Sequence, residues 1–505
     1  MIGSKYSTNK LITILASFYC FSHPNLAVLV SAAEECTHGM LYVSDAASSV
    51  ISAFDLDQAS LQDLPVVESI DTGMSEQWLY TNNIMNNVIL TSVFRGTAAS
   101  GYADGKVRFI HTGVSTESHG DHIHVEKSPF SFRDNGLITC ARPIHYVPND
   151  NKIAIFCDGN FGTSEEEQIN SQIWVVDEEL LATSTSANAI IHNSTLEGSH
   201  HGVAIPLSGD HVLHSLATDD RVNRTAGASS LPNTFQIIDL DGNPVHDIDD
   251  ETDQNNSCLG FHGSAVAGNA FAFGCSSDHG GILVGQYVTG ITKKAYLTEA
   301  LLYPTAVSFD GHRTGNFADH PESSYIIGNF AGVNSFNLIA FQPSNLESNV
   351  MTESQIQVLD QRLCSYDFEK SEGEYVLTWL ASGVLEVYKI EPTWSLVAEI
   401  PVMDGMTECS QAFMVSGYGQ VFVIEPETQK IHAVSLGHLD HDHDMSIETT
   451  TLDFVPFSAV VAGVPEGASC HSEDDHDETS AGVNVTIRAS ASFLAMLSAV
   501  FLLAA

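Results

Sequence analysis

Short apolar or alternating runs recur along the chain. Each meets a turn of Gly, Asp, Asn or Ser, and a second run follows that often ends in Asp or Glu. Leu41–Asp45 with Val50–Asp55 is the first such pair, followed by Asn87–Phe94 with Lys106–Ile110 and Lys152–Cys157 with Gln172–Asp177. Val212–Ala217 with Thr234–Asp239, Ala270–Cys275 with Gly281–Tyr287, and Tyr325–Asn329 with Phe336–Phe341 continue the series. Tyr375–Leu380 with Val384–Ile390 and Ala412–Ser416 with Gln420–Glu425 complete it. Each pair predicts a β-hairpin, and the pairs are spaced by roughly 40 to 60 residues, the period of propeller blades. The expected fold is an all-β propeller of seven or eight blades, with eight favoured by the hairpin count. A parallel β-helix would repeat every ~20–25 residues, and no such period is present. The only helical candidate is short, around Glu165–Ile169.

The two ends break the pattern. Lys5 and Lys10 precede the apolar run Leu11–Val30, and Ser31, Ala32 and Ala33 offer a small-residue cleavage site. His23 and Pro24 interrupt the run, which favours a signal peptide over a membrane anchor. At the other end Ser480, Ala481 and Gly482 precede a polar spacer and the apolar segment Phe493–Ala505. That segment is short of the ~20 residues a spanning helix needs, and the order matches a glycosylphosphatidylinositol signal. The expected organisation is a signal peptide over 1–33, a propeller over 34–464, a flexible acidic stalk over 465–482 and a removed lipid-anchor signal over 483–505. The expected location is the secretory pathway and then the cell surface, on a membrane through a lipid anchor. Asn193, Asn223 and Asn255 head glycosylation sequons consistent with that route. Asn484 heads another, in the segment expected to leave.

The chain has nine cysteines, of which Cys20 lies in the expected leader. The remaining even number suggests disulfides. Equal spacings of 17 residues for Cys140/Cys157 and Cys258/Cys275 suit neighbouring strands. No C-x-x-C is present, so zinc-ribbon and thioredoxin-type readings have no support. The charge is lopsided, with 63 acids against 19 bases and a net charge of −44. A polyanion would be repelled, so nucleic acid is not an expected partner. Cations are, although an acidic surface also serves solubility alone.

Histidine sharpens that expectation. The chain holds 23, in clusters. His119, Asp121, His122 and His124 fall within six residues between the second and third hairpins. In an extended segment His122 and His124 share a side, and neutral imidazoles on one side can share a Zn²⁺ ion. Asp121 is a further ligand candidate or an orienting partner. His200-His201-Gly202 and His262-Gly263 enter strands at equivalent places in their units, and His145 precedes the third unit in a similar way. In a propeller such places converge near one end of the central channel. His438, Asp440, His441, Asp442, His443 and Asp444 form an acidic tract of the kind that binds metal weakly. His111, His192, His246, His312 and His320 read as hydrogen-bonded core residues. Asp239, Asp241, Gly242 and Asn243 read as a turn rather than a calcium loop. The nucleophile-elbow, zincin, P-loop and dinucleotide motifs are all absent.

At these clusters the sequence resembles the AztD family of periplasmic zinc chaperones, which serve a zinc ABC transporter and its solute-binding protein. The resemblance is carried by His119-Gly-Asp-His122-Ile-His124, by His200-His201-Gly202 with Leu213–Ala217, and by Cys258–Gly263 leading to Phe273-Gly-Cys275. It implies a β-propeller, zinc binding and transfer without catalysis, and His119, His122, His124, His201 and His262 as zinc residues. It also implies a Cys258–Cys275 disulfide. The two ends depart from a periplasmic protein, and the 438–444 tract and the stalk look like additions.

The leading expectation is therefore an extracytoplasmic zinc chaperone or scavenger, not an enzyme. It would bind Zn²⁺ at His119, Asp121, His122, His124, His201, His262, His441 and His443, and would pass the ion to a transporter or solute-binding protein. A metal-dependent hydrolase or lactonase is the alternative, with Asp121 or Asp219 as base. A metal-free adhesion propeller is the third.

Overall fold

The computed structural model describes residues 39–463 except 57–65, 85–86, 119–122, 162–167, 226–227, 249–259, 269, 277–281, 288–294, 298–313, 321–322, 332–335, 344–354, 371–372, 391–392, 418 and 437–445. All described residues fall in one compact unit, Met1–Cys470; a second unit, His471–Ala505, lies outside them.

Strand pairing builds an eight-bladed propeller: seven four-stranded sheets, one six-stranded sheet and a separate two-stranded hairpin. The inner strands of blades 1 to 4 are Pro456–Gly463, Trp78–Ile84, Pro143–Asn149 and Ala204–Leu207. Those of blades 5 to 8 are Phe261–Ala267, Phe317–Asp319, Leu363–Phe368 and Phe413–Gly417. Blade 1 closes the ring with strands from both ends of the described chain. Gly39–Asp45 pairs antiparallel with Pro456–Gly463, Gly39 opposite Gly463 and Val43 opposite Ala459.

Burial falls from the second strand outward, and this explains what the sequence displays. Second strands are covered by neighbouring blades on both faces, so they read as continuous apolar runs. Tyr375–Leu380 is buried throughout. Between blades 3 and 4, Ala154, Phe156, Ile173 and Val175 pack against Ala204, Val212 and Ile238. Full burial of one such Phe, Ile or Val contributes roughly 1.5–3 kcal/mol. Outer strands such as Ile447–Thr451 only alternate between exposed and half-buried.

Seven of the eight predicted hairpins are the second and third strands of a blade. The eighth is the first and second strand of blade 8, whose third strand, Lys430–Ser435, completes the sheet. The short helix expected around Glu165–Ile169 is not formed at its described end, where Gln168–Ile169 pairs as a strand with Asn160–Phe161. Helix appears instead at Glu178–Thr183, where the Asp177 carboxylate accepts a hydrogen bond from the Leu180 amide at 2.8 Å and caps the first turn. The Asp239–Asn243 segment is a turn, with Asp239 accepting from the Asn243 amide at 2.7 Å and Gly242 at φ +84°.

Disulfides join Cys140 to Cys157, with Cα atoms 6.2 Å apart, and Cys364 to Cys409 across a separation of 45 residues. Cys275 is also disulfide-bonded; Cys258 lies outside the described residues. Among the described residues no helix is long and apolar enough to cross a membrane. The segments on which the expected leader and anchor rest lie outside them.

Candidate functional site

Inner strands all begin at one end of the propeller, and three successive blades place a histidine there. His145 lies near the start of Pro143–Asn149, His201 just before Ala204–Leu207, and His262 near the start of Phe261–Ala267. The rings of His145 and His201 are centred 4.9 Å apart, and those of His201 and His262 are 5.3 Å apart. His145 also lines a cavity of about 390 Å³, together with Gly263, Asn329, Cys364 and Tyr366.

Hydrogen bonds orient two of the rings. His201 Nδ1 donates to the Asp158 carboxylate at 2.8 Å, and His262 Nδ1 donates to the Gly315 carbonyl at 2.9 Å. Carboxylates and carbonyls only accept, so in the neutral ring each bond places the single proton on Nδ1 and leaves the lone pair on Nε2. Asp158 is fully buried, whereas the His201 side chain is 25% exposed. The Asp158 amide donates to the Arg142 carbonyl at 3.0 Å, and Ser171 Oγ donates to the Asp158 carbonyl at 2.7 Å. Burial pushes the Asp158 carboxyl above its ordinary range, while the hydrogen bond and charge of His201 and the charge of Arg142 pull it back. Its Oδ1 is buried without a hydrogen-bond partner. Burial drives the His145 imidazole down to about 3, with the charges of His201, His262 and Arg95 adding to the effect. His145 is therefore neutral near pH 7, the form that binds a metal.

Glycines permit these approaches. A Cβ on Gly202 would lie 2.2 Å from Ser215 Oγ and 2.5 Å from the Phe156 ring. Gly263 adopts φ +73°, and a Cβ there would stand 2.3 Å from the Gly315 carbonyl that holds His262. The two His-Gly steps thus mark places with no room for a Cβ, against side chains at Gly202 and against backbone at Gly263. His200 takes the other role in the His-His doublet. It is buried, with Nε2 3.1 Å from the Ser215 carbonyl and Nδ1 3.3 Å from Ser171 Oγ, and burial lowers it to about 3.

Two imidazoles sharing a tetrahedral ion at ~2.0–2.1 Å hold their ring centres ~5 Å apart. The observed spacings match that geometry. No group of three His, Cys, Asp or Glu side chains already converges on one point among the described residues. The arrangement is thus a set of three close imidazoles, two of them oriented by hydrogen bonds.

His119, Asp121, His122, His441 and His443 are outside the described residues. The His124 backbone pairs opposite Glu117. Blade 2's third strand, Lys106–Ser118, starts opposite Phe94 and reaches Glu117 at its far end. His124 is thus at the end of its blade opposite the one where inner strands begin. Asp219 opens the helix Asp219–Val222, and Asn193 and Asn223 are exposed. Asn255 lies outside the described residues. His111 Nε2 is 2.8 Å from Asn87 Oδ1, and His192 Nδ1 is 2.8 Å from the Leu240 carbonyl. Among the described residues the structure adds His145 and Asp158 to the sequence-predicted set. His145 shares its place in the repeat with the other two, a signal the sequence carries. Asp158 has no such mark, because a single Asp after a strand is commonplace in this acidic chain.

No known family model matches the chain. The zinc chaperone AztD of Citrobacter koseri is 25% identical over 423 residues, covering 82% of this chain and 89% of the relative. The solved structure of apo AztD from C. koseri superposes with a TM-score of 0.64 at 17% identity, covering 85% of this chain and 99% of that one. A second C. koseri AztD structure gives 0.64 at 18% identity, with 85% and 98% covered. The chain is an eight-bladed β-propeller, similar to the zinc chaperone AztD in sequence over most of its length and in fold.

Proposed function

We propose that the chain binds Zn²⁺ at the channel mouth through His201, His262 and His145 and hands it on. The observation that carries this reading is the pair of oriented imidazoles. Asp158 and Gly315 fix the protons of His201 and His262 on Nδ1 and keep Nε2 as a donor, the arrangement metal-ligating histidines require. The relative named a zinc chaperone supports the same reading. The acidic surface favours cation approach. Partly exposed imidazoles allow ligands to exchange one at a time, which suits transfer better than permanent retention. His119, Asp121, His122 and His124, and the tract with His441 and His443, are proposed as further zinc residues; His124 sits at the other end of its blade and belongs to a separate contact. A metal-receiving transporter or solute-binding protein is the proposed recipient.

The same reading places the chain at a cell surface, exported by a leader and held by a lipid anchor, with glycans on Asn193, Asn223 and Asn255. The exposure of Asn193 and Asn223 supports two of those three. Binding is preferred to hydrolysis because the buried carboxylate beside the histidines, Asp158, is committed to His201. A hydrolase needs a carboxylate base facing an open position on the metal.

The test is transfer. The chain is loaded with Zn²⁺ and mixed with a chromogenic zinc chelator in stopped flow. Transfer whose rate rises with chelator concentration indicates stepwise ligand exchange and supports the reading. Zinc-dependent lactone hydrolysis, with no exchangeable zinc, would favour the enzyme.

A further inference from the structure

A disulfide lies on the wall of the cavity that His145 lines. Cys364, near the start of blade 7's inner strand Leu363–Phe368, bonds to Cys409, just before blade 8's inner strand Phe413–Gly417. Both cysteines are therefore at the end of the propeller where the histidines lie. Cys364 and His145 line the same space of about 390 Å³. Blades 3 and 7 are half a ring apart in the eight-bladed propeller, so these two residues stand on opposite walls of it.

This bond is placed differently from the other described disulfide cysteines. Cys140, Cys157 and Cys275 are 4%, 0% and 0% exposed. Cys364 and Cys409 are half-buried, and Glu408 and Ser410 on either side of Cys409 are exposed. Exchange requires a thiolate to reach a sulfur, so a small thiol meets this bond first. Its loss leaves blades 7 and 8 joined, because Leu377, Trp379 and Val387 of one share a core cluster with Val421, Val423 and Val434 of the other. The two Cα atoms are 5.0 Å apart. Thiolates bound to one zinc ion at ~2.3 Å stand ~3.8 Å from each other, a spacing that side-chain rotation alone supplies from such a backbone.

We propose that Cys364 and Cys409 form a second, thiolate metal site in this cavity, closed while they are disulfide-bonded and opened by a dithiol reductant. The reductant's thiolate attacks one sulfur to give a mixed disulfide, and its second sulfur then displaces the cysteine that is still attached. The reductant leaves as a cyclic disulfide, and its two electrons and two protons remain on Cys364 and Cys409 as thiols. An incoming Zn²⁺ displaces both protons and binds the two thiolates. Two protein ligands leave part of the tetrahedron to water or to a recipient's groups, so the ion stays exchangeable. The inference rests on the zinc-transfer reading only for where the ion comes from and goes; thiolate binding itself does not need the imidazoles.

The test compares the intact chain before and after brief treatment with dithiothreitol, which is removed without air before Co²⁺ is added as a spectroscopic stand-in for Zn²⁺. The reduced chain should bind a further ion and show a thiolate-to-cobalt charge-transfer band in the near ultraviolet, which the oxidised chain lacks. Peptide mapping should find free thiols at Cys364 and Cys409 and none at Cys140, Cys157 or Cys275. The band should be lost in Cys364→Ser/Cys409→Ser and kept in His201→Ala/His262→Ala. If the serine variant fails to fold, the reduced parent decides, because Zn²⁺ should protect both thiols from iodoacetamide. An oxidised chain that binds no zinc, with the band present after reduction, would sink the channel-mouth reading and leave this inference standing. No band in the reduced parent, an equal band in the serine variant, thiols that Zn²⁺ leaves unprotected, or reduction of Cys140–Cys157 in place of Cys364–Cys409 would overturn it.

Discussion

His201 Nδ1 and the Asp158 carboxylate are 2.8 Å apart, and of the two side chains only the imidazole reaches solvent. The buried acid therefore acts on any metal through the ring it holds. Asp158→Ala should lower zinc affinity by about 10–100-fold, the usual effect of removing a partner that orients a ligating histidine. Asp158→Asn keeps an acceptor oxygen and should cost less. Competition titration against a calibrated zinc chelator measures both. An unchanged affinity in Asp158→Ala would mean that His201 is not a ligand or is oriented by other contacts.

Acid should weaken the metal-free protein in a defined window. Burial holds His145 and His200 at about 3, against 6.5 for an exposed imidazole. Below pH 6.5 the unfolded chain binds protons on these groups and the folded chain does not. Stability is then lost as pH falls from 6.5 toward 3, by up to about 1.4 kcal/mol per pH unit for each group. Asp158 works the other way just above 3.8, because its folded carboxyl holds a proton that the unfolded one releases. Thermal unfolding in EDTA should show a midpoint falling between pH 6.5 and 5, with a shallower slope for His200→Gln. An equal slope in that variant would remove His200 from the account.

Gly202 has no room for a methyl group. A Cβ would meet Ser215 Oγ at 2.2 Å, the Phe156 ring at 2.5 Å and His200 Nε2 at 2.6 Å. Gly202→Ala should cost about 1–3 kcal/mol, the typical penalty for overpacking. It should also displace His201, the preceding residue in the chain. Denaturant unfolding reads the first effect and zinc titration the second.

Much of the fold was legible before any coordinates. Second and third strands such as Lys152–Cys157 and Gln172–Asp177 carry apolar runs because blades cover them, and their spacing gives the propeller. Inner strands were not legible. Pro143–Asn149 is mostly half-buried along the channel, and Phe317–Asp319 is too short to stand out. The exception is blade 8, where the predicted hairpin joins the inner strand Phe413–Gly417 to the second strand Gln420–Glu425, because that inner strand is as apolar as a second strand. At the site, the His-Gly steps at 201 and 262 could be read because glycine stands where a Cβ has no room. Asp158 could not be read, since its role depends on a hydrogen bond across 43 residues. The split between His200 in the core and His201 in the channel depends on which way each ring turns, and adjacent identical residues conceal that.

The most direct test of the account is the zinc content of the purified intact chain, compared with the His201→Ala/His262→Ala variant at matched fold. The parent should bind zinc, and the variant should lose the channel-mouth ion. His145→Ala alone should weaken binding of that ion. Unchanged zinc content and affinity in the double variant would contradict the assignment of the channel mouth as a metal site.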